Sequence, residues 1–184
     1  MKVIFDRETL LSGFSSVAAV VPARGPKEIL QFVKVEASQE GGVMLMGTDM
    51  EVGVRVEFPE TQVEVPGSAL VPVSRFGTLL RESLDEHITL EGNQQGVTVS
   101  GDRFEVQLMA GDPAEYPEIP VFEEEKYHEI PAKLVKELIR RTIYATDDES
   151  TRYAFGGILL EMTEQEIVAV GTDGRRLAKM QGPA

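Results

Sequence analysis

With 184 residues, 42% of them hydrophobic, the chain is long enough to bury one large core or two small ones. Its 31 acidic against 18 basic residues leave a net charge of −13, which excludes a grip on nucleic acid over the whole surface, and the absence of cysteine removes disulfides, thiolate zinc sites and thiol nucleophiles together. Only His87 and His128 remain as imidazoles, no run approaches the roughly 18 apolar residues of a membrane span, and the opening MKVIFDRETLL is charged where a signal peptide is apolar, so a soluble cytoplasmic protein without membrane contact is expected.

The spacing predicts one unit three times over: a short strand, an amphipathic helix, then three strands, with no glycine-rich phosphate loop. In the first copy Lys2 to Asp6 reads as a strand and Arg7 to Val21 as a helix with Leu10, Leu11, Phe14, Val17, Ala18 and Val21 on one face. Strands follow near 29–38, 43–48 and 51–58, with Gly41-Gly42 as a turn. The second copy runs from a strand at 69–71 through a helix at 72–84 to strands near 87–92, 96–100 and 103–109. The third runs from a strand at 126–130 through a helix at 131–144 to strands near 155–162, 165–171 and 176–181.

Copies two and three align at the helix start, where Val71-Pro72 matches Ile130-Pro131, Phe76 matches Val135, Leu79 matches Leu138 and Leu80 matches Ile139. Proline is expected at the first helical position in both, since that amide needs no intrahelical partner. Copies one and three share Gly-Thr-Asp at 47–49 and 171–173, each between the third and fourth strands of its unit. Between copies two and three, three prolines in GDPAEYPEIP and the run Glu123-Glu124-Glu125 mark a connector. The first domain is thus expected at 1–121 with two units, and the second at 122–184 with one. A single unit leaves a sheet edge and an apolar face uncovered, as in a chain cut within a domain.

The repeats, the connector GDPAEYPEIP, the segment ATDDESTRYAFGGILLE at 145–161 and VGTDGRRLA at 170–178 resemble the beta subunit of bacterial DNA polymerase III, the sliding-clamp family, over essentially the whole chain. The most specific part is Thr172-Asp173-Gly174-Arg175-Arg176-Leu177 following Arg152-Tyr153 and Gly156-Gly157. The resemblance implies an α+β DNA clamp fold with helices on the inner side of a ring and sheets outside. It also implies a non-catalytic processivity factor that needs no cofactor and no metal. Its expected partners are double-stranded DNA, held topologically, the replicative polymerase, the clamp loader, other proteins with a clamp-binding motif, and a second protomer when full length.

Three sites follow from the resemblance. On the third helix Lys133, Lys136, Arg140 and Arg141 lie opposite Leu134, Val135, Leu138 and Ile139, which gives a packed face and a basic, DNA-facing stripe. Arg75 and Arg81 on the second helix join it, and so does Arg24 after the first; Arg7, with Ser12, Ser15 and Ser16, adds little. The acidic loop Asp147-Asp148-Glu149 works against close phosphate contact. A partner-peptide cleft takes Phe155, Thr172, Gly174, Arg175, Arg176 and Leu177, with its other wall outside this sequence. A ring-closing interface takes Arg75, Leu79, Arg103 and Val106.

Two other functional classes compete for the same residues. A metal-dependent phosphoryl-transfer enzyme would rest on Asp147, Asp148, Glu149 and Asp173, but adjacent carboxylates of one loop diverge and no histidine or lysine is placed to assist. A protein-interaction domain that never meets DNA is separated from a clamp by whether the full-length form stays on circular DNA but slides off linear DNA.

Overall fold

The computed structural model describes residues 1–24, 27–93, 96–147, 149 and 155–183, and divides into two compact units, Met1–Val121 and Phe122–Ala184. In the first unit β1 (Lys2–Asp6) enters α1 (Arg7–Ala18), and a 3-10 turn leads to β2 (Phe32–Ser38), β3 (Gly42–Thr48) and β4 (Gly53–Phe58). A short strand, β5 (Gln62–Val65), precedes β6 (Gly67–Pro72), α2 (Val73–Glu82), β7 (His87–Asn93), β8 (Gly96–Ser100) and β9 (Glu105–Leu108). Two antiparallel sheets result, in the orders β5-β1-β7-β8-β9 and β4-β3-β2-β6. The repeats exchange their first strands: β1 pairs with β7 of the second repeat, and β6 pairs with β2 of the first.

Alternation explains the strands. Val3 and Phe5, Val33, Val35 and Ala37, Ile88 and Leu90, and Val97 and Val99 point inward, with more exposed residues between them. On α1 the buried residues Leu10, Phe14 and Val17 recur at helical spacing. Asp6 caps this helix, accepting hydrogen bonds from the Thr9 amide at 2.8 Å and the Thr9 hydroxyl at 2.5 Å. Phe14 meets Phe76 of α2 edge to face, with ring centres 5.0 Å apart. The connector also packs on this unit: the Tyr116 hydroxyl donates to the Phe32 carbonyl at 3.1 Å, and Ile119 lies so close to Gly53 that a Cβ there would be 2.6 Å from its Cγ2.

In the second unit α3 (Ala132–Thr142) continues into a 3-10 turn, and β10 (Leu159–Met162), β11 (Glu166–Thr172) and β12 (Leu177–Pro183) form a three-stranded sheet. Leu138, Ile167 and Ala169 are its core, flanked by Ile130, Leu134, Ile158 and Met180. Gly182 lets α3 approach, since a Cβ there would sit 2.5 Å from Leu134 Cδ1. At the other end of α3, Gly171 lies against the Thr142 carbonyl. Among the described residues no helix is long and apolar enough to cross a membrane.

Several expectations are corrected. Pro72 and Pro131 stand at the N-cap, one residue before the first helical position. Residues 28–31 form a 3-10 turn where the strand near 29–38 is expected to begin. Residues 126–130 form no strand. In the first unit β1 is held between β5 and β7, and among the described residues of the Phe122–Ala184 unit the equivalent segment has no such neighbours. Ile139, expected on the packed face of α3, is 42% exposed for the same reason: its match Leu80 is buried in the two-helix core of the first unit. Arg152-Tyr153 and Asp148 lie outside the described residues.

Candidate functional site

Along α3, Lys133, Lys136, Arg140 and Arg141 are all exposed, while Leu138 and Thr142 face the sheet. The stripe holds one carboxylate that the sequence reading did not single out. Glu137 is reached by Arg140 Nη2 at 3.0 Å and by Arg141 Nε at 2.9 Å, and these hydrogen bonds, Arg141 foremost, hold its carboxyl below the usual range. The i,i+3 and i,i+4 spacings were the signal for it. Two of the four cations are therefore partly neutralised on the helix itself.

The other proposed DNA-facing residues are also at the surface. Arg75 and Arg81 are exposed on α2, with Arg81 Nη2 donating to the Thr78 hydroxyl at 3.3 Å, and Arg24 is exposed after α1. Arg7 is spoken for, because its guanidinium binds the Leu80 carbonyl at 3.3 Å and Glu8 at 3.3 Å. The Ser15 and Ser16 hydroxyls bond back to the helix carbonyls of Leu11 and Ser12.

The 171–177 turn is built by its own polar side chains. The Thr172 hydroxyl donates to the Arg176 carbonyl at 2.6 Å and accepts from the Gly174 amide at 3.0 Å. Asp173 Oδ1 accepts from the Arg175 and Arg176 amides, both at 2.9 Å, and its Oδ2 pairs with Arg176 Nε at 3.0 Å. Those two amides, Arg175 first, hold the Asp173 carboxyl below its ordinary range. Gly174 takes φ +82°, and Phe155 lies against it, 3.6 Å from where a Cβ would be. Leu177, paired with Thr172 across the strands, is 66% exposed. The structure thus brings together Phe155, Thr172, Gly174 and Arg176, with Arg175 and Leu177 presented to solvent beside them.

The first unit contains the same turn. The Thr48 hydroxyl donates to the Val52 carbonyl and accepts from the Met50 amide, Asp49 Oδ1 accepts from the Glu51 and Val52 amides, and Met50 takes φ +82°. Asp173 is therefore a turn-former with both oxygens engaged. Among the described residues no group of three His, Asp or Glu side chains is arranged to hold a metal.

Of the ring-closing candidates, Arg75 and Leu79 lie one turn apart on α2, Leu79 packed partly against the core. Arg103 and Val106 lie on the β8–β9 hairpin, and β9 is the edge strand of its sheet. Sequence reading missed the partner of Arg103. Asp85 is buried, accepting from Arg103 Nε at 3.0 Å and from the Arg103 amide at 3.3 Å. Gly101 leaves space for that carboxylate.

The model of the DNA polymerase III beta subunit N-terminal domain matches residues 1–120, and that of its central domain matches residues 129–183. The beta sliding clamp of Halalkalibacterium halodurans is 27% identical over 191 residues, covering all of this chain and 50% of the relative. That of Escherichia coli K12 is 28% identical over 186 residues, with coverage of 100% and 50%. Among solved structures, the Bacillus subtilis sliding clamp is similar with TM-score 0.91 at 26% identity, and the Pseudomonas aeruginosa beta subunit with TM-score 0.88 at 27%, each over 100% of this chain and 50% of the other. The chain spans about half the length of the curated relatives it matches.

Proposed function

The chain belongs to the DNA polymerase III beta-subunit family, and from that premise we propose that it serves as part of a sliding clamp, a non-catalytic processivity factor of the replicative polymerase. In this reading 1–121 is the first clamp domain, with two repeats, and 122–184 is the first half of the second. The protein acts in the cytoplasm, closes head to tail with a second protomer, and needs neither cofactor nor metal. Arg75, Leu79, Arg103 and Val106 serve the closing contact.

The observation that carries the reading is α3: one face seats on the sheet while Lys133, Lys136, Arg140 and Arg141 point to solvent in a chain whose net charge is −13. With Arg24, Arg75 and Arg81 they supply a mild positive lining toward duplex DNA, sensitive to salt and blind to sequence. Glu137 keeps that lining weak. Weak contact suits sliding, because a closed ring is retained by linkage rather than affinity. The exposed Leu177, the Phe155 ring and the Thr172–Arg176 turn form one wall for short partner peptides with apolar anchors, carried by the polymerase catalytic subunit, the clamp loader and other clamp-binding proteins.

The test is retention on nicked circular DNA before and after a single restriction cut, with the protein in its ring-closing form. Loss on linearisation is expected. Equal retention on circular and linear DNA would reject the proposal in favour of plain electrostatic binding. Failure to associate with circular DNA at any salt, with peptide binding intact, would favour an interaction domain that does not meet DNA.

A further inference from the structure

Asp85 stands in the 83–86 loop between α2 and β7, and that loop is tied on both sides of it. The Ser83 hydroxyl accepts from the Asp85 amide at 3.1 Å, and the Glu86 carbonyl accepts from the Arg7 amide at 2.9 Å. Arg103 stands in the tight turn between β8 and β9, closed by the Gly101 amide donating to the Phe104 carbonyl at 3.0 Å. A Cβ at Gly101 would overlap Asp85 Oδ2, so this turn is shaped around one carboxylate. Two fixed loops of the Met1–Val121 unit thus meet at an acid that is 3% exposed.

Burying a carboxylate is costly, and an ion pair offsets that cost without adding much stability. What the pair does supply is direction. Nε of Arg103 reaches Asp85 Oδ1 at 3.0 Å, the Arg103 amide reaches Oδ2 at 3.3 Å, and Nη2 reaches the Leu84 carbonyl at 3.5 Å. One edge of the guanidinium is therefore turned inward. Nη1 has no partner among the described residues, and 68% of the side chain stays exposed. The open Nη1–Nη2 end is the part of the planar fork that can grip an acceptor with two parallel bonds. Arg75, the other arginine of the closing contact, has no side-chain partner among the described residues, so binding must order it.

We propose that Asp85 is a positioning residue of the ring-closing contact: it holds the main chain and the Nε edge of Arg103 so that the Nη1–Nη2 end is presented, in one orientation, to an acceptor on the second protomer. A long side chain already held in its bound rotamer loses less freedom on association, so the gain appears as a slower dissociation of the closed form. The charge of Arg103 alone does not give this, since a free arginine on a hairpin tip samples many rotamers. The inference takes the place of Arg103 in the closing contact from the clamp reading and adds what aims it.

Two measurements separate the hold from the contact it serves. In the 184-residue chain, NMR is expected to show the Arg103 Nε proton exchanging with water about tenfold or more slowly than that of Arg75, with Asp85→Asn removing most of that protection. In the ring-closing form, Asp85→Asn is expected to speed protomer dissociation, followed by subunit exchange, about fivefold. Arg103→Lys keeps the charge, loses the fork and is expected to match it. In an Arg103→Ala background Asp85→Asn is expected to change dissociation by less than about twofold, because nothing is left to aim. Additive effects of Asp85→Asn and Arg103→Ala would overturn the proposal, placing the role of Asp85 in fold stability alone. So would an Arg103 Nε proton that exchanges as fast as that of Arg75. Unchanged dissociation in Arg103→Ala, with the Nε protection intact in the native chain, would overturn the closing role of Arg103 and the proposal with it.

Discussion

Met50 holds a backbone φ of +82°, the value Gly174 takes at the same place in the twin turn. A side chain in that region crowds its own backbone, so Met50→Gly is expected to raise unfolding stability by about 0.5–1 kcal/mol, and Gly174→Ala to lower it by about 1 kcal/mol. Urea midpoints read both. Asp85 makes a pH-dependent contribution. Arg103 hydrogen bonds hold its folded carboxyl below the ordinary value, so the stability it adds is full above about pH 4 and is lost as pH falls through the folded pKa. Asp85→Asn should therefore lower the urea midpoint at pH 7, with the gap to the native chain narrowing as the pH is taken below the ordinary carboxylate range. The shared Gly-Thr-Asp tripeptides were legible as a repeated turn. The Asp85–Arg103 pair was not, because its members are 18 residues apart and the burial of a lone carboxylate depends on the space left by Gly101.

At the scale of the element, α3 was readable as a helix with opposite apolar and basic faces, because spacing alone defines those faces. Which apolar residues end up covered was not readable. That depends on how many neighbours the sheet has, and Ile139 is exposed where its match Leu80 is covered. The 126–130 strand failed for the same reason, since a strand exists only with a partner. The charge on α3 can be tuned one group at a time. Glu137→Gln frees Arg140 and Arg141 and is expected to steepen the salt dependence of duplex binding by about one unit of log–log slope, while Lys136→Gln should make it shallower by about as much. Fluorescence anisotropy with a labelled duplex across a salt series measures both.

In the whole molecule the connector is more than a spacer. Its prolines and acids read as a loop, and apart from a 3-10 turn at Pro113–Glu115 it is one, yet Tyr116 and Ile119 are buried against the first unit, and burial pushes the Tyr116 phenol up from its ordinary value. Periodicity carries no signal for two anchors in an irregular segment. Ile119→Ala is expected to destabilise the Met1–Val121 unit by about 2 kcal/mol and to speed proteolysis between residues 110 and 125, read by urea titration and by mass spectrometry of early fragments. The two-unit organisation was visible in the sequence. The exchange of first strands between repeats was not, because period and composition are identical whether a strand pairs within its own repeat or outside it.

That exchange puts a clock on biosynthesis. Lys2–Asp6 leaves the ribosome about eighty residues ahead of its partner His87–Asn93. At roughly 5–20 residues per second, the leading strand waits about 4–16 s with Val3 and Phe5 uncovered. Among the described residues only β5 pairs with it sooner, and a nascent chain stalled before residue 87 would expose an apolar strand with half its hydrogen bonds unmade.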